Sequence, residues 1–388
     1  MRTLIKLFRS IAKSINRQNM KLCLIYNFAQ HYRTSIFKLM SEELGCDFLF
    51  GDSMSDVKKM DYSLLKGKVT ETHTKYVIGR WYWQPKVISQ LFKGYDHYIL
   101  LGETRALSTW IFCILARIFK PRKKIYFWSH GWYGKENKLE SIIKRIEFQL
   151  PNGGVFTYGE YARQLMIGNG FKAEKLFTIH NSLAYDQQIE IRKSIKKTDV
   201  YSEHFGNANH NLFFVGRLTP IKKLDQILDA LLICNKKGNK YNFTFIGGGT
   251  KMDSLIDKAE SLGLQEQIWF YGPCYDEKEL SSLIYNADLC VAPGNIGLTA
   301  MHSMVFGTPC ITHNDFPYQM PEFEAIKEGK TGLFFKRDDI NDLSRCIDEW
   351  FCINGQNRDQ IRKECMNVID KEWNPYYQLE VLKKGLGI

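Results

Sequence analysis

Two cations in FVGRLTPIKKLD (214–225) pose the first chemical question. Arg217 and Lys222 flank a turn that follows an apolar run ending at Gly216, and a helix opens near Lys222. A guanidinium, an ammonium and a helix N-terminus at one strand end make a seat for a diphosphate, because fixed positive charge and oriented N–H groups both favour an anion. A solvated basic turn has the same sequence, so the segment alone does not decide. Further on, FTFIGGGT (243–250) sets three glycines after an apolar run, which lets the backbone approach a ligand closely. The spacing is neither that of a P-loop nor the full GxGxxG fingerprint.

The third stretch is PGNIGLTAMHSMVFGTP (293–309). Gly294 and Gly297 bracket a turn and Leu298 begins a helix. On that helix Thr299, His302 and Ser303 share a narrow arc, while Leu298, Ala300, Met301, Met304 and Val305 fill the rest. A helix apolar almost all round is buried, and its one polar stripe must be satisfied by something. Either a ligand lies over the stripe, with the amides of Gly297 to Thr299 aimed at its phosphate, or His302 bonds a neighbouring backbone carbonyl.

These turns need strands and helices to hold them. Strand-like runs alternate with helical patterns along the chain, which predicts parallel α/β architecture. In the front half the strands are 22–27, 97–102, 124–129, 154–159 and 176–181, with helices near 33–44, 105–119, 138–149 and 160–168. A polar stretch without an apolar period, 189–210, reads as a linker. The alternation then restarts with strands at 211–216, 242–247, 267–272, 288–293 and 309–313 and helices near 222–236, 250–262, 276–286 and 298–306. The expected fold is two Rossmann-like doubly wound domains facing a cleft, 20–188 and 211–370. The amphipathic stretch 371–388 is expected to form a helix that crosses back to brace the first domain. Ligands bind outside the carboxyl ends of such strands.

The chain has 388 residues, room for two cores of ordinary size, and a net charge of +11. Residues 1–200 carry 33 Lys and Arg against 17 Asp and Glu, and the remainder 20 against 25. A basic front and an acidic rear face different partners. In residues 1–19, Leu4, Leu7, Phe8, Ile11 and Ile15 share one helical face and Arg2, Lys6, Arg9 and Lys13 the other. That pattern is either a helix lying on an anionic membrane or a frayed leader, since Met20 opens a natural strand and is a second candidate start. The tract KPRKK (120–124) is a second membrane candidate or a solvated helix end. No apolar run reaches the roughly 20 residues of a membrane span. The ten cysteines show no CxxC and no zinc spacing, which fits a reducing cytoplasm.

FVGRLTPIKKLD, FIGGGT, FYG, ADLCVAPGNIGLTAMHSMVFGTP and PEFEAIKEGKTGLFF follow in the order and spacing of the donor domain of family 4, or "group 1", glycosyltransferases. The chain resembles that family strongly over about 210–350 and in layout over its front half. The resemblance implies the GT-B fold and transfer of a sugar from a nucleotide-sugar donor to a glycan or lipid-linked acceptor, in surface polysaccharide synthesis at the inner face of the plasma membrane. By the resemblance, Arg217 and Lys222 hold the donor diphosphate, with Gly216 before them, and Gly297, Leu298 and Thr299 complete that seat. Gly248, Tyr271 and Cys274 join the donor site, the last two beside the base, and Glu322 is the acid near the donor sugar. The family has two glutamates eight residues apart that contact the sugar and the ribose; here those positions are Gly294 and His302, and Asn295 lies within reach of the sugar. His130, in YFWSHGWYGKEN (126–137), resembles the family's histidine facing the reacting sugar. Trp128, Trp132 and Tyr133 form either a wall against a sugar face or a core cluster. His31, Tyr32 and Arg33, in the first strand-to-helix turn, are acceptor contacts by position.

Transfer requires stabilisation of the negative charge growing on the departing diphosphate. No D-x-D spacing is present to hold a metal, so the cation pair and helix amides are expected to replace one, with no cofactor. The resemblance implies retention of anomeric configuration, the leaving phosphate oxygen taking the acceptor proton. The missing glutamates leave two alternatives, an inactive GT-B-fold binding protein and a nucleotide-sugar epimerase. Nucleic acid is not an expected partner, because the basic residues are spread rather than gathered on one stripe.

Overall fold

The computed structural model describes residues 20–52, 57–355 and 357–388; the basic leader expected over 1–19 lies outside them. The chain divides into two compact units. One takes the described residues up to Ala184 together with Pro375–Ile388, and the other is Tyr185–Asn374. Both are parallel α/β, as the alternation of runs requires.

The first unit is built on β1 (Leu22–Tyr26), β2 (Cys46–Gly51), β3 (Val69–Thr72), β4 (Lys75–Ile78), β5 (Trp81–Trp83), β6 (His97–Leu101), β7 (Lys124–Ser129), β8 (Gly154–Thr157) and β9 (Leu176–Thr178). Among the described residues one parallel sheet runs β3-β2-β1-β6-β7-β8-β9, while β4 and β5 form a separate antiparallel pair. The strand order reverses between β1 and β6, and at such a switch point the turns after adjacent strands diverge and leave a crevice. The C-terminal helix Pro375–Leu386 belongs to this unit. Its Leu379, Leu382 and Leu386 enter the core around Phe37, Met40 and Phe156. Gln378 fixes it further, accepting from the Ser182 hydroxyl at 2.6 Å and donating to the His180 carbonyl at 2.9 Å.

The second unit is built on β10 (His210–Val215), β11 (Tyr241–Ile246), β12 (Ile268–Gly272), β13 (Leu289–Ala292), β14 (Cys310–His313) and β15 (Gly332–Phe335). Its sheet order is β12-β11-β10-β13-β14-β15, with every pair parallel. Strands β11, β13 and β14 are buried at every residue, which is why they read as mostly apolar runs. Phe213, Phe243 and Phe245 are fully buried; each such ring contributes roughly 1.5–3 kcal/mol. The switch point here lies between β10 and β13, so the turns after these two strands, 216–224 and 293–298, flank the crevice.

Two features depart from the sequence reading. Strands β2, β3, β4, β5 and β15 are absent from it. The stretch 189–210 is not an open linker, since helices occupy Tyr185–Ser194 and Val200–Phe205 within the second unit. Its lack of an apolar period has a physical reason: hydrogen bonds rather than an apolar face anchor these helices. Arg192 reaches the Val305 carbonyl at 3.2 Å and Asp370 at 2.7 Å, Gln188 donates to Glu277 at 2.9 Å, and the Tyr201 hydroxyl donates to the Leu283 carbonyl at 2.9 Å. Among the described residues no helix is long and apolar enough to cross a membrane.

Candidate functional site

Strand β10 ends at Val215, and the chain turns through Gly216 and Arg217 into a short 3-10 helix, Pro220–Lys222. The GGG segment lies directly on this turn. The Leu218 N–H donates to the Gly248 carbonyl at 2.9 Å, and a Cβ at Gly247 would come within 1.9 Å of the Gly216 carbonyl oxygen. Backbone packing against 216–218 therefore demands the glycine at 247. Gly248 packs against Pro273 instead, where a Cβ would meet the ring at 3.1 Å.

Lys222 is carried into the crevice. Its ammonium donates to the backbone carbonyl of Asn295 at 2.6 Å and to that residue's side-chain oxygen at 2.7 Å. The Gly294 N–H answers with a bond to the Lys222 carbonyl at 2.9 Å. Thus the turn after β10 and the turn after β13 are laced together across the switch point. Burial lowers the Lys222 pKa to about 8; the Glu322 carboxylate opposes that shift and Arg217 adds to it. Arg217 is exposed at the rim, whereas Glu322 is 2% exposed in the 3-10 helix Pro321–Ala325.

Gly297, at φ +53°, caps the helix Leu298–Val305. A Cβ added there would lie 3.9 Å from the Lys222 ammonium, so this helix start and the half-buried cation are neighbours. The first N–H groups of any helix have no intrahelical acceptor, which places donors of positive character beside the ammonium. The polar stripe is partly settled from within. The Thr299 hydroxyl donates to the Val215 carbonyl at 2.8 Å, and Ser303 donates to the Thr299 carbonyl at 2.9 Å. Leu298 and His302 are half-buried. Tyr271 lies at the end of β12 and Cys274 in the turn after it, where the tyrosine hydroxyl donates to Glu279 and the Cys274 thiol lies 3.6 Å from the same carboxylate. Burial and Glu279 push that thiol up to about 11.

Sequence reasoning does not reach Gln319. Buried at 4% exposure, it accepts from the Ile296 N–H at 3.0 Å and donates to the Thr312 hydroxyl at 2.8 Å and the His313 carbonyl at 3.0 Å. Thr312 in turn donates to the Ala292 carbonyl at 2.8 Å. This network fixes the turn that carries Gly294 to Gly297 from below.

In the first unit the turns after β1, β6 and β7 enclose a cavity of about 740 Å³. Tyr32, Arg33 and His130 line it; Trp132 and His31 do not. Trp132, 3% exposed, packs between Phe148 and Phe171 with ring centroids 5.5 Å from each, so this indole is a core side chain. His31 is exposed and pairs with the Lys58 carbonyl at 3.2 Å. The imidazole of His130 sits over the Tyr158 ring, centroids 4.7 Å apart. Burial, with Arg33 and Lys144 close by, pulls its pKa down to about 4, so it is neutral at pH 7. Glu147, which no motif flags, is fully buried; burial raises its carboxyl to about 7, and a 2.6 Å bond from Thr104 opposes the shift.

Residues 198–365 match the family model described as "Glycosyl transferases group 1". Over most of its length the second unit is similar to the group 1 glycosyl transferases. Glycogen synthase of Mycobacterium tuberculosis (strain ATCC 25618 / H37Rv) is 30% identical over 139 residues, covering 35% of this chain and 32% of that protein. Poly(ribitol-phosphate) alpha-N-acetylglucosaminyltransferase of Staphylococcus aureus (strain COL) is 25% identical over 219 residues, covering 54% and 39%. The matched stretch thus spans about a third of the length of the first curated relatives. Among solved structures, Anabaena Alr3699/HepE in complex with UDP superposes with a TM-score of 0.69 at 16% identity, over 95% of this chain and 100% of that one. Both units therefore share the fold of that structure.

Proposed function

We propose that this group 1 protein transfers a sugar from a nucleoside diphosphate sugar to a glycan or lipid-linked acceptor in surface polysaccharide synthesis, with retention and without a resident metal. The observation that carries the reading is the half-buried Lys222 ammonium beside the start of the helix Leu298–Val305, at the switch point of a sheet whose sequence matches the family. That corner offers a diphosphate preorganised positive charge, strongest as the leaving group gains its own. Among the described residues no three of His, Cys, Asp and Glu gather into a metal-binding group. In this reading His130 meets the reacting sugar as a neutral hydrogen-bonding imidazole. Asn295, His302 and Glu322 take the sugar and ribose contacts, and Gly216, Gly248, Leu298, Tyr271 and Cys274 border the nucleotide.

A second reading, an inactive nucleotide-binding protein, is favoured by Gly294 and His302 standing where the family has glutamates. One assay separates the two. Uridine-, guanosine- and adenosine-diphosphate sugars are incubated with the protein and EDTA, and binding and nucleotide release are followed from pH 7 to 9.5. Transfer requires turnover of at least one donor in EDTA; binding without turnover supports the inactive reading, and no binding overturns both. The pH profile has a definite sign. A bound diphosphate raises the Lys222 pKa above its free value of about 8, so affinity is full below pH 8 and falls as pH rises beyond it, by up to tenfold per unit.

Peripheral membrane contact belongs to the same proposal. Ile114, Ile118 and Phe119 are exposed on the helix Leu107–Phe119, which leads straight into the basic tract 120–124. Apolar side chains next to lysines and arginines suit an anionic bilayer. Ile118→Glu together with Phe119→Glu is expected to abolish sedimentation with phosphatidylglycerol vesicles; equal sedimentation of variant and wild type contradicts this contact.

A further inference from the structure

The Arg33 side chain is buried, at 6% exposure, yet its Nε and Nη1 atoms meet no hydrogen-bond acceptor among the described residues. The third nitrogen, Nη2, donates to the Tyr158 hydroxyl at 2.5 Å, and that hydroxyl shares a bond with the Tyr26 hydroxyl at 2.5 Å. The guanidinium lies over the rings of Tyr158, Tyr26 and Trp128, 5.0, 5.3 and 5.4 Å from their centroids. Aromatic faces offset part of the desolvation of a cation, by about 0.5–2 kcal/mol each. They supply neither a counter-charge nor an acceptor for the remaining N–H groups. A buried charge left in that state is costly, and proteins ordinarily pair it with a carboxylate. No carboxylate lies within ion-pair distance of Arg33 among the described residues.

The same guanidinium lines the 740 Å³ cavity of the first unit, beside Tyr32, His130 and Tyr133. A volume of this order accommodates a small ligand. The other cations on its wall are placed differently. Lys144 is spoken for by Glu136 at 2.7 Å and by the Gly131 carbonyl at 2.8 Å, and Arg105 and Lys135 are exposed. The cavity thus holds one buried positive charge with unused donors, beside a histidine.

We infer that this cavity takes an acceptor bearing an oxyanion, a phosphate or a carboxylate, which pairs with the unused donors of Arg33. The inference rests on the transferase reading only for the word acceptor; the anion site stands on the geometry of the first unit. It makes Arg33 a specificity-determining contact whose burial lowers stability until the anion arrives.

The test uses the full chain at fixed ionic strength, with inorganic phosphate, glycerol 1-phosphate, glucuronate and neutral methyl glucoside as probes. For the wild type, at least one of the three anions is expected to raise the thermal midpoint in a saturating manner, as binding to the native state alone requires. Arg33→Met is expected to need at least tenfold more of that anion while its own midpoint equals or exceeds that of the wild type. Comparison of glycerol 1-phosphate with glucuronate identifies the oxyanion. A wild type indifferent to all three anions overturns the proposal, as does a destabilised Arg33→Met that keeps the full anion response. Should Arg33→Met fail to fold, NMR titration of His130 in the wild type decides. An anion on Arg33 raises the His130 pKa, and an unchanged value contradicts the assignment. Uridine diphosphate is run as a separate arm. No response to it, with the anion response intact, counts against the donor reading and leaves the anion site standing.

Discussion

Replacing Lys222 by alanine is expected to lower sugar transfer by at least about 10²-fold while leaving the second unit folded. The Lys222 ammonium is half-buried and Arg217 is exposed, so the ammonium's field on a departing diphosphate is the less screened of the two. Its present partners are a carbonyl and an amide oxygen of the same residue, Asn295. The Asn295 side of that contact is half-open and can be rehydrated, so the substitution is expected to change stability by no more than about 1 kcal/mol. Arg217→Ala is expected to have the smaller effect of the two, because an exposed guanidinium is screened by salt. Steady-state rates at saturating donor, with a denaturation curve for each variant, check both statements. Wild-type turnover in both variants contradicts the assignment of the diphosphate seat.

The second large effect is expected of Gly294→Ala. A Cβ at this position would lie 2.1 Å from the Ile221 carbonyl oxygen and 2.6 Å from the Lys222 Cα. Both obstacles are backbone, and alanine has no rotamer with which to avoid them. Accommodation therefore parts the two turns, breaks the 2.9 Å bond from the Gly294 N–H to the Lys222 carbonyl and carries the ammonium out of place. A loss of about 3 kcal/mol or more is expected, at the upper end for overpacked substitutions, together with loss of transfer. Gly168→Ala is the control, since a Cβ there meets nothing within 4 Å. Urea denaturation of the two variants side by side measures the difference. Gly294 is thus a glycine that its neighbours in space require.

Much of this was legible in the residues and some was not. Alternating apolar runs give away parallel sheets because strands covered on both faces are mostly apolar; β13 (LCVA) is wholly so, while β11 and β14 admit a few polar residues, Asn242, Thr244, Thr312 and His313. The strand β2 is harder to find: it follows its helix after only Leu44 and Gly45, leaving no polar gap to mark it. The helices at 185–205 are hidden because side-chain hydrogen bonds anchor them and periodicity records only apolar faces. Site residues divide in the same way. Lys222, Gly294 and Gly297 stand in turns whose glycines are visible in the sequence. The surroundings of Arg33 are assembled from Tyr26, Trp128 and Tyr158, on three separate strand ends, and no local pattern joins them. Trp132 shows the converse, a ring in a motif-like cluster that the fold spends on its core.

The central claim is that the corner formed by Lys222 and the start of the helix Leu298–Val305 seats the diphosphate of an activated sugar. A crystal structure with uridine diphosphate tests it most directly. The expected result is phosphate oxygens within hydrogen-bond distance of the Lys222 ammonium and of the N–H groups at 297–299. Nucleotide bound with its phosphates elsewhere, or that corner empty at saturating nucleotide, contradicts it.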